Sequence, residues 1–291
     1  MTTLFSGIYT ASLTPLTSSY EPNLPALVSH VEQLFESGSD GVAILGSTGE
    51  ANSLTIEQRL DIISYCGRTL APERLMMGTG SCALQDAIRL TQASIEAGVC
   101  SVLVIPPFYY KPQSEESIIR FYSELIASVN DSRLRIIFYN FPKFTGYNFD
   151  HNVIRKMKQR FGKIAAGIKD SSGNWSHTER LIRERGTLNV FVGHEGQLER
   201  GMRIGASGAI AGSANILPEV IKAIVHDDNK EPNLPLLIDE LLKYPIIPAV
   251  KALIASRLDA PAWLRVRPPL TQLASTQIKS LGERLDALFP N

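Results

Sequence analysis

A lysine that closes an apolar run is the residue of this sequence with the clearest chemical potential. In Gly167-Ile168-Lys169-Asp170-Ser171-Ser172-Gly173, the stretch just before the lysine, 165–168, is buried-strand material. Charged side chains are seldom buried without a partner or a role. Apolar surroundings disfavour an ammonium ion, so an amine held in them is more easily neutral. A neutral amine can attack a ketone and form an imine. Once protonated, that imine draws in electrons and stabilises a carbanion on the neighbouring carbon. The competing reading is a lysine whose stem lies along the strand end while its head reaches solvent.

Two other segments carry polar groups of a useful kind. Phe138-Tyr139-Asn140-Phe141-Pro142 offers a tyrosine that can pass protons between substrate groups. A core aromatic that closes off the interior would use the same residue. Gly46-Ser47-Thr48-Gly49-Glu50 places two hydroxyls and several backbone N–H groups in a turn that the glycines permit, a nest suited to a carboxylate. An ordinary turn ending in a helix cap is the alternative.

These segments work together only if the surrounding elements bring them to one place. Short apolar runs alternate with amphipathic stretches along most of the chain. The pattern predicts strands at 7–13, 41–45, 75–78, 101–105, 135–140, 164–169, 189–192 and 208–211. It predicts helices at 24–37, 55–70, 85–97, 114–129, 150–160, 176–185, 197–204 and 218–226. Leu27, Val31, Leu34 and Phe35 recur at helical spacing in the first of these, and Thr55 with Gln58 spells a capping box in the second. The run 41–45 is continuously apolar, as a strand buried on both faces should be. Gly98 stops the third helix, Pro106-Pro107 ends the fourth strand, and Pro218 stands in the first turn of the eighth helix. Parallel strands need helical crossovers, and eight such units close naturally into a barrel. The expected fold is therefore α/β, a (β/α)8 TIM barrel over 1–226. In that fold catalytic groups sit at the carboxyl ends of the strands, where all three segments fall. A doubly wound open sheet would need a glycine-rich phosphate turn after the first strand, and there is none. Residues 227–235 read as a polar, proline-bearing linker, followed by helices at 236–242, 248–258 and 277–288. This extension, 227–291, is expected to pack on the barrel or on another subunit.

The 29 Lys and Arg balance 29 Asp and Glu, and no basic stripe stands out, so neither nucleic acid nor an anionic membrane is an expected partner. Cys66, Cys82 and Cys100 are an odd number without metal-site spacing, which points to a reducing compartment and to small buried side chains rather than nucleophiles. Residues 1–6 carry neither a basic stretch nor a long apolar run, and no segment approaches the roughly 20 apolar residues that cross a bilayer. A cytoplasmic enzyme is expected.

Taken together, these motifs resemble the pyruvate-dependent class I aldolase family, which contains dihydrodipicolinate synthase, N-acetylneuraminate lyase and the 2-keto-3-deoxy sugar acid aldolases and dehydratases. The resemblance covers the whole chain. It rests on 46–50, 106–112 (Pro-Pro-Phe-Tyr-Tyr-Lys-Pro), 139–142, 167–173 and 208–215, in order and at the matching barrel strands. It implies that Lys169 forms the Schiff base and that Tyr139 shuttles protons. Ser47 and Thr48 would hold the carboxylate of a 2-oxo acid. Tyr109, in register with Pro112, matches a tyrosine that a neighbouring subunit commonly lends to the proton relay, and Tyr110 takes that place if the loop register differs by one. Gly193 and Ile210 match positions at the pyruvate end of the pocket. The resemblance implies no metal and no organic cofactor, and a homotetramer built as a dimer of dimers.

The acceptor end decides which member is resembled. Dihydrodipicolinate synthases carry an Arg two residues after the Tyr-Asn-x-Pro segment, to grip a second carboxylate. Here Phe144 stands at that place, with Lys143 one position away. Ile56, Arg59 and Cys82 occupy positions where the lysine-inhibited synthases keep His and Asn, so lysine feedback is not expected. Sialic acid lyases place an Asp-Glu pair after the glycine of strand seven, and here the segment is Gly193-His194-Glu195-Gly196. Glu195 either meets substrate hydroxyls or caps the next helix. His194 either contacts substrate or fills the loop, and Ser171, Ser172 and Ser213 are further pocket candidates. The expectation is a lyase, aldolase or dehydratase acting on a 2-keto-3-deoxy or 4-hydroxy-2-oxo acid, with pyruvate and an aldehyde or sugar-acid co-substrate. Condensation of pyruvate with aspartate semialdehyde is the second reading. A non-catalytic barrel that binds a 2-oxo acid is the third.

Overall fold

The computed structural model describes residues 6–111 and 113–290. In chain order its elements are β1 (Gly7–Ala11), α1 (Leu24–Glu36), β2 (Gly41–Ile44), α2 (Ile56–Thr69), β3 (Leu75–Gly78), α3 (Leu84–Glu96), β4 (Ser101–Val104), α4 (Glu115–Val129), β5 (Arg135–Asn140), α5 (Pro142–Thr145), α6 (His151–Phe161), β6 (Ala165–Asp170), α7 (Trp175–Arg183), β7 (Asn189–Val192), α8 (Leu198–Arg203), β8 (Gly208–Ala211), α9 (Pro218–His226), α10 (Asn233–Leu241), α11 (Ile246–Arg257) and α12 (Ser275–Leu288). Helices begin where a side chain offers an oxygen to an open backbone amide. Asn23 Oδ1 accepts from Ala26 N at 3.2 Å, Thr55 and Gln58 form the reciprocal box, and Ser114, Asp150 and Asn174 cap α4, α6 and α7.

The strands pair in parallel in sequence order and close, with Gly7 to Thr10 of β1 beside Gly208 to Ala211 of β8. Alternate residues point inwards. Tyr9, Ala43, Met76, Leu103, Ile137 and Phe191 fill the barrel, while their neighbours Ile8, Val42, Val102, Ile136 and Val190 face the helices. Both faces are thus apolar, which is why the strands read as unbroken apolar runs. The register of β5 and β6 shifts between Ile136 and Ile137: Ile136 pairs with Ala165, but Ile137 pairs with Gly167. Ala166 is the extra residue. Beyond the shift Tyr139 pairs with Lys169; an unshifted ladder would have set Ile168 there.

Several boundaries differ from expectation for physical reasons. β1 ends at Ala11 rather than at 13, because Leu13 N donates to the side chain of Asn215 (3.3 Å) instead of to a strand. The linker expected over 227–235 is shorter, since α10 starts at Asn233 and takes in Pro235. α11 likewise starts at Ile246 and contains Pro248. A proline in the first turn of a helix lacks only an N–H that would have had no partner there. The short helix α5 was not anticipated.

The last three helices pack on one another and on the carboxyl-end face of the barrel, α10 lying against a 3-10 turn at Glu195–Gln197. α11 is pinned by a salt bridge between Lys251 and Glu50, both side chains fully buried. Lys251 Nζ also donates to Arg265 O at 2.7 Å, and Arg267 N donates to the second oxygen of Glu50 at 2.9 Å. Burial pushes the Lys251 ammonium below its ordinary value, and the Glu50 carboxylate opposes that push. Among the described residues no helix is long and apolar enough to cross a membrane.

Candidate active site

Tyr139 and Lys169 are register partners on adjacent strands, so both side chains enter the barrel from the same level. They are 4% and 5% exposed, and the Lys169 Nζ lies 4.5 Å from the centre of the Tyr139 ring. The amine is therefore inside the barrel mouth and not in bulk water. Its stem needs Gly193: a Cβ there would come within 3.0 Å of Lys169 Cε and 2.2 Å of Ser171 Oγ.

Behind this pair runs a buried polar network. Asp170, next to Lys169, accepts from Asn140 Nδ2 (2.8 Å), Thr178 Oγ1 (2.6 Å), Ser172 Oγ (3.0 Å) and His177 Nδ1 (3.3 Å). Asn140 follows Tyr139, so the network ties together the two strand ends that carry the reactive groups. Burial would raise the Asp170 carboxyl, but the bonds from His177, Thr178 and Asn140 outweigh it and hold the group below its usual range. Burial would lower His177, and here Asp170 outweighs it and holds the imidazole above its usual range. The other ring nitrogen of His177 faces Phe149 O at 2.8 Å. A carbonyl and a carboxylate can only accept, so both partners favour the doubly protonated ring.

A cavity of about 550 Å³ opens above Lys169. Ser47, Thr48 and Tyr139 border it, as do Ser171, Ser172, Gly193, His194, Glu195, Ile210 and Ser213. Among the described residues, neither the amides nor the hydroxyls of Ser47 and Thr48 have a hydrogen-bond partner, while Gly49 N and Glu50 N bond back to Gly46 O and Ser47 O. That leaves an open array of donors on the cavity wall, the arrangement that receives an anion. Glu195 also holds the adjoining loop. Its Oε1 accepts from Gly212 N (2.8 Å), Ser213 N (3.0 Å) and Ser213 Oγ (3.1 Å), so it clamps the loop after β8 while bordering the cavity. No three His, Cys, Asp or Glu side chains cluster as metal ligands would among the described residues.

Neither Tyr109 nor Tyr110 lines the cavity of its own chain. The loop after β4 carries both rings outwards, 75% exposed for Tyr109 and 84% for Tyr110, packed edge-on with centroids 5.2 Å apart. Pro112, which sets their register in the motif, lies outside the described residues. Phe144 does border the cavity, from α5, and Lys143 stands beside it. Sequence reasoning missed the upper wall. Ile238, Leu241, Leu242, Ile246 and Val250, from α10, α11 and the turn between them, all border the cavity. The one available signal was the pair Pro245 and Pro248 around Ile246-Ile247, which marks a helix start but not what the helix covers.

Comparison with known proteins agrees with this geometry. Residues 4–288 match the dihydrodipicolinate synthetase family. An uncharacterized DapA-like lyase of Chloroflexus aurantiacus is 30% identical over 283 residues, 94% of each chain. Dihydrodipicolinate synthase from Agrobacterium tumefaciens superposes with a TM-score of 0.94 at 33% identity, over 98% of this chain and 100% of that one. YagE, a prophage protein of the dihydrodipicolinic acid synthase family from E. coli K12 solved in complex with pyruvate, gives a TM-score of 0.87 at 26% identity, over 98% and 99%.

Proposed function

This chain belongs to the dihydrodipicolinate synthetase family, and from that premise we propose that it is a class I pyruvate-dependent lyase acting on a 4-hydroxy-2-oxo acid or 2-keto-3-deoxy acid. The observation that carries the reading is the Lys169 amine, buried at the barrel mouth, 4.5 Å from the Tyr139 ring centre and opening on the same cavity as the Ser47-Thr48 donors.

The substrate carboxylate rests on the amides and hydroxyls of Ser47 and Thr48. Lys169 Nζ attacks the C2 ketone, water leaves, and a protonated imine forms. Tyr139 takes the proton of the C4 hydroxyl, with the partner subunit's Tyr109 completing the relay. The C4 oxygen becomes a carbonyl as the C3–C4 electron pair moves into the iminium, which gives an enamine and a free aldehyde. The enamine is protonated at C3, water adds at C2, and pyruvate departs as the amine is restored. The lysine is the electron sink, so the sequence of steps calls on no metal or organic cofactor. In the other direction the same groups join pyruvate to an aldehyde.

Residues 1–226 act as the catalytic barrel and 227–291 as a helical extension. The working form is a cytoplasmic homotetramer, in which a second copy supplies the outward-facing Tyr109 or Tyr110. A synthase joining pyruvate to aspartate semialdehyde is the second reading, favoured by the names of relatives and opposed by Phe144 at the place of the carboxylate-binding Arg. A non-catalytic binding barrel would have no use for an electron sink. Incubation with pyruvate and borohydride is expected to add a stable mass to the intact protein, localised to Lys169. A Lys169→Ala variant that turns over at the wild-type rate would remove the mechanism.

A further inference from the structure

The cavity above Lys169 has two chemically different walls. The lower wall, formed by strand ends, presents the open donors of Ser47 and Thr48. The upper wall is mainly hydrocarbon: Phe144, Ile238, Leu241, Leu242, Ile246 and Val250, with Tyr244 beside them. Three of these are large apolar side chains left open to water, Phe144 at 48%, Leu242 at 49% and Ile246 at 37% exposure. They come from two distant parts of the chain, α5 and the α10–α11 region, and meet on one cavity.

Polar side chains near this wall are mostly committed to the protein. The Ser172 hydroxyl donates to Asp170 (3.0 Å) and accepts from Asn174 N (3.2 Å), and Glu195 Oε1 accepts three bonds from the β8 loop. Lys143, His194, the Tyr244 hydroxyl and the second oxygen of Glu195 remain. They are few against the hydrocarbon of this wall, and every hydroxyl of a sugar chain that reaches the wall without meeting one of them loses water uncompensated. Nor is there a guanidinium for a second carboxylate among the described residues of the wall.

We propose that the group attached to C4 of the substrate is a hydrocarbon, branched or aromatic, so that the enzyme joins or separates pyruvate and an apolar aldehyde. This rests on the lyase reading above and names its co-substrate. In atoms, R–CHOH–CH2–CO–COO⁻ gives R–CHO and CH3–CO–COO⁻, with R against the upper wall and the carboxylate on the lower one. Each methylene of R that leaves water is worth roughly fourfold in binding, so a group of four to six carbons buried there outweighs a polyol of the same length by well over tenfold.

The test supplies the whole protein with pyruvate and one of four aldehydes: isobutyraldehyde, benzaldehyde, D-glyceraldehyde or aspartate semialdehyde. The expected result is a kcat/KM at least tenfold higher for the first two. Preference for glyceraldehyde or the semialdehyde, with the pyruvate adduct still formed on Lys169 under borohydride, overturns the apolar assignment and leaves the lyase reading standing. No adduct on Lys169 overturns both. Leu242→Asp and Ile246→Asp, on the open rim where a charge is tolerated, are expected to raise the KM for benzaldehyde at least tenfold. If they instead lower the oligomer mass and leave the aldehyde preference untouched, a second copy of this chain covers the wall and the assignment falls.

Discussion

The buried ion pair between Glu50 and Lys251 makes a sharp test of how the donor turn is held. Glu50 lies two residues beyond Thr48 and adopts a left-handed backbone (φ 57°), a conformation that a residue with a side chain keeps only when its surroundings enforce it. Its carboxylate is fixed on one oxygen by Lys251 and on the other by Arg267 N. Lys251→Met removes the ammonium at similar volume and leaves a carboxylate that is 0% exposed without its cation. Breaking a buried pair from one side costs about 3–5 kcal/mol, a large part of the roughly 5–15 kcal/mol that holds a typical domain together. The carboxylate then takes up a proton or pulls towards water, and either event shifts the turn that carries Ser47 and Thr48. Urea unfolding at fixed protein concentration should show the loss, and the pyruvate concentration needed for half-maximal borohydride trapping should rise severalfold. Replacing both partners, in Glu50→Gln with Lys251→Met, should recover most of the stability, because no charge is left stranded. A loss below about 1 kcal/mol in the single variant, or a double variant no better than the single, would refute the reasoning.

Gly193→Ala puts a methyl group 3.0 Å from Lys169 Cε and 2.2 Å from Ser171 Oγ; the displaced lysine should form its imine at least tenfold more slowly, a misplacement effect of the usual size, read by the rate of adduct formation with pyruvate. The Asp170–His177 pair gives a pH signature. The depressed Asp170 contributes stability above its unfolded value of 3.8 that is lost as pH falls through its folded value, and the raised His177 contributes stability below 6.5 that is lost as pH rises through its folded value. The stability gap between wild type and His177→Gln should therefore be widest between about pH 4 and 6.5 and shrink on both sides, and a gap independent of pH would show that the ring acts only by packing.

What could be read from the residues alone followed the strength of local signals. All eight strands were placed because both faces of each are buried, so their apolar runs are unmistakable. Lys169 and Tyr139 were legible because a charged and a polar aromatic residue interrupt such runs at their ends. The Thr55–Gln58 box was legible because both partners lie within one turn. The helix starts at Asn233 and Ile246 were missed because Pro235 and Pro248 read as breaks, whereas first-turn prolines are harmless. The Asp170 network and the upper wall were invisible because they are tertiary. Phe149 O meets His177 across 28 residues, and Leu242 shares a cavity with Phe144 across almost a hundred. The residues Pro-Pro-Phe-Tyr-Tyr do not by themselves say which way the loop turns, and only the resemblance pointed Tyr109 away from its own cavity.

The register shift at Ala166 carries a warning for anyone inferring activity from a motif. Straightening β6 with all its residues kept would leave the glycines, the lysine and the tyrosine present and correctly ordered, yet a ladder continuing unshifted from the Ile136–Ala165 pair would seat Ile168 beside Tyr139 and swing the amine to the helix-facing side. A relative whose strand pairs here without the bulge, at the same length, would keep the whole signature and lose the chemistry, so the shift in pairing is as diagnostic as the residues themselves.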